Sequence, residues 1–126
     1  MKRMLIIAAL AASSSTAVAQ SVNIPVTLTE FKIEMAQDTV KAGSYTFQLN
    51  NKGVINHSFF VRGPGVAQGA SHEMAAGESG TLTVTLKAGT YELYCPLSDL
   101  SHRKGGMTRK LVVTAAAAPA PKKPGA

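Results

Sequence analysis

Between Ser21 and Thr114 the chain repeatedly alternates apolar and polar residues, in short runs broken by glycine-bearing turns. Ile24, Val26 and Leu28 alternate with Pro25, Thr27 and Thr29. Tyr45, Phe47 and Leu49 alternate with Thr46, Gln48 and Asn50, and Leu82, Val84 and Leu86 with Thr81, Thr83 and Thr85. Successive side chains of an extended strand point to opposite faces, so a period of two gathers one set on a single face. A helix would scatter the same residues around its circumference. Shorter runs follow the same rule: Phe31 with Ile33; His57 with Phe59 and Val61, opposite Ser58 and Arg62; Tyr91 with Leu93 and Cys95; and Arg109 to Val113. Lys41-Ala42-Gly43, Asn51-Lys52-Gly53 and Lys87-Ala88-Gly89 read as turns between them. Composition agrees, because this segment holds 22 Val, Ile and Thr against 7 Ala, a balance that favours strands over helices. The pattern predicts an all-β, antiparallel β-sandwich of seven or eight strands. Pro25 lacks a ladder donor, so its strand belongs at an edge. Residues 63–78 read as the longest irregular stretch, with room for one helical turn near Glu73. The spacing of Gly63, Gly65 and Gly69 does not match a dinucleotide-binding loop.

The two ends read differently. Lys2 and Arg3, an apolar run from Met4 to Ala12, and Ala17-Val18-Ala19 form the three parts of a secretory signal peptide, with a cut expected after Ala19. Nine apolar residues are too few to span a bilayer, which takes about 20, so no membrane insertion is expected. Residues 115–126 hold Ala, Pro, Lys and Gly without a large apolar side chain and read as a disordered tail. The expected organisation is a signal peptide over 1–19, one domain over 20–114 and the tail over 115–126. Export places the domain in the periplasm where the cell has one.

The net charge of +6 falls to +4 once Lys2 and Arg3 are removed. That mild excess lacks the dense basic stripe with stacking aromatics that marks a nucleic-acid binder, so no nucleic-acid partner is expected. Arg103, Lys104, Arg109 and Lys110 do lie close together. They read as an ordinary solvated surface or as a docking patch for an acidic partner.

A single cysteine excludes an internal disulfide. A lone thiol in an exported protein is open to oxidation and mispairing, and a bound metal would protect it. Cys95 is in phase with Leu93 and Tyr91 and so faces the core at the end of its strand. His57 is in phase with Phe59 and Val61 and faces the core at the start of its own. In an antiparallel sandwich these two strand ends can meet at one rim. The loop after Cys95 then carries His102 and Met107. One thiolate, two imidazoles and a weak thioether form a donor set suited to copper in an electron-transfer site. Structural zinc usually recruits more than one thiolate and seldom takes Met. His72 and Met74 lie in the long irregular stretch and could bind copper transiently, but an ordinary exposed loop histidine is the favoured reading.

The run Tyr94-Cys95-Pro96 with His102-Arg103-Lys104-Gly105-Gly106-Met107 resembles the C-terminal ligand loop of cupredoxins, the small blue copper proteins of the plastocyanin and azurin kind. Asn51-Lys52-Gly53-Val54-Ile55-Asn56-His57 resembles their first-histidine segment. The resemblance covers nearly the whole chain between the two ends. It implies a Greek-key β-sandwich binding one type 1 copper, with His57, Cys95 and His102 as equatorial ligands and Met107 as the axial one. It also implies that His102 sits near the surface and passes electrons there. Two features depart from the family pattern. Six residues, Pro96 to Ser101, separate Cys95 from His102, where family members usually have about two to four. Ser58 stands where many members place an Asn that ties the ligand loops together.

The function expected from these residues is a soluble, monomeric, periplasmic one-electron carrier. Its partners would be redox proteins such as cytochromes or copper oxidoreductases, acidic where they meet the basic cluster. Pro96, Leu97 and Met107 would form an apolar docking patch around His102. The alternatives are a periplasmic copper storage or delivery protein and a copper-free interaction module. A copper enzyme is not expected, because multicopper catalysis needs further histidine-rich centres and the chain has three histidines in all.

Overall fold

A computed structural model describes residues 20–116. The expected signal peptide and most of the expected tail lie outside the described residues.

The alternating runs form strands that pair into two sheets. β1 (Val22–Thr29), β2 (Lys32–Glu34), β4 (Gly43–Asn51) and β7 (Ser79–Leu86) build the first, in the order β2-β1-β4-β7. β3 (Thr39–Lys41), β5 (Phe60–Gly63), β6 (Val66–Ala70), β8 (Gly89–Tyr94) and β9 (Thr108–Thr114) build the second, in the order β3-β9-β8-β5-β6. The only helix among the described residues is one turn, α1 (Ser101–Lys104).

The period of two becomes the core directly. Ile24, Val26 and Leu28 of β1 and Tyr45, Phe47 and Leu49 of β4 are buried, together with Val84 and Leu86 of β7. Val61, Tyr91, Leu93, Leu111 and Val113 of the second sheet belong to the same cluster. Phe47 and Phe59 lie with ring centroids 5.0 Å apart. Each large side chain removed from water contributes about 1.5–3 kcal/mol, so the core cluster is the main force holding the sheets face to face. The polar set remains outward, where Thr46 and Thr83 share a hydrogen bond of 2.9 Å across β4 and β7.

The sandwich was expected to be antiparallel throughout, but two strand pairs are parallel: β1 with β4 and β3 with β9. After β2 the chain crosses to the second sheet as β3 and returns as β4. This crossing brings β4 back beside β1 in the same direction. Nine strands form rather than seven or eight. The additional ones are β3, too short to show a period, and β6, whose Val-Ala-Gln-Gly-Ala composition is poor in strand formers. β6 therefore occupies part of the stretch expected to be irregular, and the helical turn falls at Ser101–Lys104 rather than near Glu73. The strand of Pro25 is not the edge strand expected, since β1 lies between β2 and β4. β2 pairs with β1 only at Thr27, Leu28 and Thr29, so the β1 edge is open at Pro25.

Candidate metal centre

The centre lies at one end of the sandwich, where three segments converge. His57 precedes β5 rather than opening it, and is fixed by its backbone. Its N–H donates to the Met74 carbonyl at 3.0 Å and its carbonyl accepts from the Met74 N–H at 2.8 Å. Met74 is fully buried, so a residue of the expected loop forms the bed on which His57 rests. Asn51 reinforces this segment. Its side-chain amide donates to the carbonyls of Ile55 and Met74, both at 2.9 Å, and its Oδ1 accepts from the Gly53 N–H at 2.9 Å.

Cys95 follows β8 and is fully buried. Its N–H donates to the Met107 carbonyl at 3.1 Å, and the Met107 N–H donates to the His102 carbonyl at 3.0 Å. The backbone of Met107 thus links Cys95 to His102. The chain reaches α1 through Ser98, Asp99 and Leu100, all left-handed with φ of 54°, 54° and 65°. That conformation costs non-glycine residues about 1–2 kcal/mol each. It closes the six-residue spacer into a tight coil, with Leu100 N–H on the Pro96 carbonyl at 3.1 Å and Ser101 N–H on the Ser98 carbonyl at 3.0 Å. The longer spacer is taken up by this coil and by α1, and His102 is still delivered to the centre.

One donor atom from each of His57, Cys95 and His102 lies within 4.8 Å of the others, and all three residues are buried. Cys95 Sγ is 3.6 Å from His102 Nδ1. The two imidazole rings meet edge-on with centroids 5.2 Å apart. His57 Nδ1 is buried without a hydrogen-bond partner, as a nitrogen reserved for a metal would be. Burial and the neighbouring His57 push the His102 imidazole below its ordinary value, with Glu30 opposing, so its neutral, ligating form is favoured. The Ser58 N–H points at Cys95 Sγ from 3.5 Å, a contact of the kind that tunes a copper–thiolate site. The Ser58 side chain makes no such tie: its hydroxyl is buried without a partner. Met107, five residues after His102, is fully buried.

Residues beyond the expected set shape the centre. Glu30, in the turn between β1 and β2, places Oε1 3.1 Å from His57 Nε2. Burial alone would raise its carboxyl, but the N–H groups of Val54 and Ile55 and the His57 ring outweigh that and hold it below the usual carboxylate value. Phe31, next in the chain, packs edge-on against His102 with centroids 5.2 Å apart. Ser98 Oγ approaches His102 Nε2 at 3.4 Å. On the outer face of the second sheet, Glu92 accepts from Arg62 at 2.6 Å, Arg103 at 2.7 Å and Thr108 at 2.7 Å. Both arginines also lie over the Tyr94 ring. Neither Glu30 nor Glu92 belongs to a motif; only their acidity within short apolar runs marks them in the sequence.

Two surface expectations change. Met107 is fully buried and takes no part in an apolar rim. The exposed apolar side chains near the centre are Phe31, Val54, Ile55 and Leu100. Within the basic cluster, Arg103 is engaged by Glu92, and Arg109 by Asp38 at 2.5 Å. His102 itself is 6% exposed and helps line a surface depression with Ile55, Glu73, Leu97 and Ser98.

A buried thiol and two imidazoles converging at the end of a two-sheet sandwich define a small β protein with a mononuclear centre, and the donor set fits type 1 copper. The profile of the family described as Cupredoxin-like domain matches residues 2–108, and the chain belongs to that family. Among solved structures it is similar to auracyanin A, a "blue" copper protein from the green thermophilic photosynthetic bacterium Chloroflexus aurantiacus. That pair is 21% identical over 75% of this chain and 100% of the other, with a TM-score of 0.63. Dithionite-reduced auracyanin from the photosynthetic bacterium Roseiflexus castenholzii is 22% identical over 79% of this chain and 98% of the other, also with a TM-score of 0.63. A reduced Cu(I) form of an amicyanin variant is 27% identical over 77% of this chain and 86% of the other, with a TM-score of 0.52. No curated protein matches the chain.

Proposed function

We propose that the chain is a type 1 copper protein that carries single electrons between redox partners. The observation that carries this reading is the buried cluster of His57, Cys95 and His102, with donor atoms within 4.8 Å of one another. Copper held there supplies one-electron redox chemistry. His57, Cys95 and His102 would hold it, and Met107 would add a weak thioether donor. The protein's own task is to hold soft sulfur and imidazole nitrogen in one geometry tolerable to both oxidation states, so that little moves when an electron arrives. His57 on its backbone bridge and Cys95 at the end of β8 suit that task. Burial of all three residues favours a carrier that retains its metal over a protein that hands it on.

Electrons would pass at the rim around His102. There Phe31, Val54, Ile55 and Leu100 offer an apolar contact, and Lys104 supplies positive charge. Such a surface suits brief encounters with an acidic redox protein, in which charge speeds association more than it tightens binding. The working unit would be the domain over 20–114, monomeric and without enzymatic activity. It would be exported to the periplasm by the segment before Gln20. No helix among the described residues is long and apolar enough to cross a membrane.

The test is a visible spectrum of the purified protein after one equivalent of Cu(II), with Cys95→Ser alongside. The expected result is an intense thiolate-to-copper absorption, lost on reduction and absent from the variant. A protein that stays colourless and takes up no stoichiometric copper would overturn the reading.

A further inference from the structure

Glu30 is separated from His57 by three strands in sequence, yet its carboxylate is built into the centre. Oε1 accepts the N–H groups of Val54 at 2.8 Å and Ile55 at 3.1 Å and lies 3.1 Å from His57 Nε2. The carboxylate occupies a place kept open by a missing side chain. A Cβ on Gly53 would stand 2.3 Å from Oε1. The other ring nitrogen of His57, Nδ1, is buried and unpartnered.

These contacts bear on which nitrogen holds the proton. An ionised carboxylate only accepts hydrogen bonds, so Nε2 must donate. A second proton on Nδ1 would be a buried N–H with nothing to receive it, which is unfavourable. The arrangement that satisfies every group has the proton on Nε2 and a bare lone pair on Nδ1, on the ring that meets His102 edge-on. Outer partners of this kind orient a ligating ring and raise its basicity. We propose that Glu30 is the positioning residue of the centre: it fixes His57 in the Nε2–H tautomer before any metal arrives, and its charge then favours Cu(II) over Cu(I). The second half rests on the copper reading of the site; the first does not.

The experiment reads both halves. In the metal-free protein, nitrogen-15 NMR of the His57 ring is expected to report Nε2–H with Nδ1 unprotonated. Glu30→Ala should release the ring into a mixture of tautomers. Gly53→Ala should do the same without altering Glu30, because the flexible carboxylate must swing away from the new Cβ. Glu30→Gln retains an acceptor oxygen and should restore the parent tautomer. Loaded with copper, Glu30→Gln should keep the parent coordination spectrum, lose about 10-fold in Cu(II) affinity, and show a raised reduction potential. A parent tautomer in both Glu30→Ala and Gly53→Ala would overturn the positioning role. An unshifted potential in Glu30→Gln would overturn the role of charge. Failure of the parent protein to bind copper would defeat the copper reading, and the tautomer readout would still decide the role of Glu30.

Discussion

The two histidines of the centre are held by opposite strategies. His57 is locked at both backbone groups to Met74, a fully buried residue of the core cluster. His102 rides on a four-residue helical turn reached through three left-handed residues. Its carbonyl accepts from the buried Met107 N–H, but its other supports lie toward the surface: the Phe31 ring, the Ser98 hydroxyl and the Arg103–Glu92 ion pair. The first histidine is therefore as stable as the sandwich. The second can loosen while the sandwich stays intact, because local opening is least costly where few apolar contacts are lost. A centre built this way keeps one imidazole rigid and places the adaptable one at the rim proposed for docking.

The sharpest way to break the contrast is to attack the bed under His57. Met74→Ala should cost about 2–5 kcal/mol, the usual loss for a buried methionine cut to a methyl group. It should lower the midpoint of urea unfolding for the whole domain, with copper uptake failing in step. A midpoint within error of the parent would mean that His57 is not tied to the core.

An intermediate effect is expected at Glu92. Its desolvation is outweighed by the bonds from Thr108 and Arg103 and the nearby charge of Arg62, so its carboxyl lies below the ordinary value of 4.5. A carboxyl lowered by folding adds stability that is present above its unfolded value and is lost as the pH falls through its folded value. Glu92→Gln should therefore cost about 1 kcal/mol at neutral pH, with the gap to the parent protein closing under acid. Unfolding curves at pH 7 and pH 3 would check this. Hydrogen exchange should quicken in α1 through the freed Arg103, and remain unchanged at His57 and Met74.

The smallest effect belongs to Ser98→Ala, which removes a long 3.4 Å contact to His102 Nε2. The expected loss is about 0.5 kcal/mol or less. The informative signal is faster exchange of the α1 amides with an unchanged unfolding midpoint. A lowered midpoint would show that the ligand loop is part of the cooperative core, and would erase the contrast between the two histidines.

Much of this was legible in the residues themselves. The period of two in β1, β4, β7 and β8 assigned the inward faces, because strand geometry leaves an alternating sequence one way to bury its apolar set. The same phase placed Cys95 in the interior. His57 was also read correctly as buried, although its residue lies before the strand that the phase was taken from. Ser58 was read as outward and is buried, because the chain there is not yet in strand and the alternation does not hold. β3 and β6 carry no period and became strands only because a neighbouring edge was available to pair with them.

The sequence by itself determined an all-β sandwich and the chemistry of a thiol, two imidazoles and a thioether, since both follow from side-chain identity and local alternation. Only the tertiary structure decided what surrounds them. Glu30 reaches His57 across 27 positions of chain and Glu92 reaches Arg103 across 11. Phe31 and His102 meet from opposite ends of the domain. Such partners leave no local mark, because a single carboxylate or ring in a turn has no period and no neighbour in sequence to betray its contact. They are set by which strand ends the sandwich brings together at one rim, and that is a property of the closed fold.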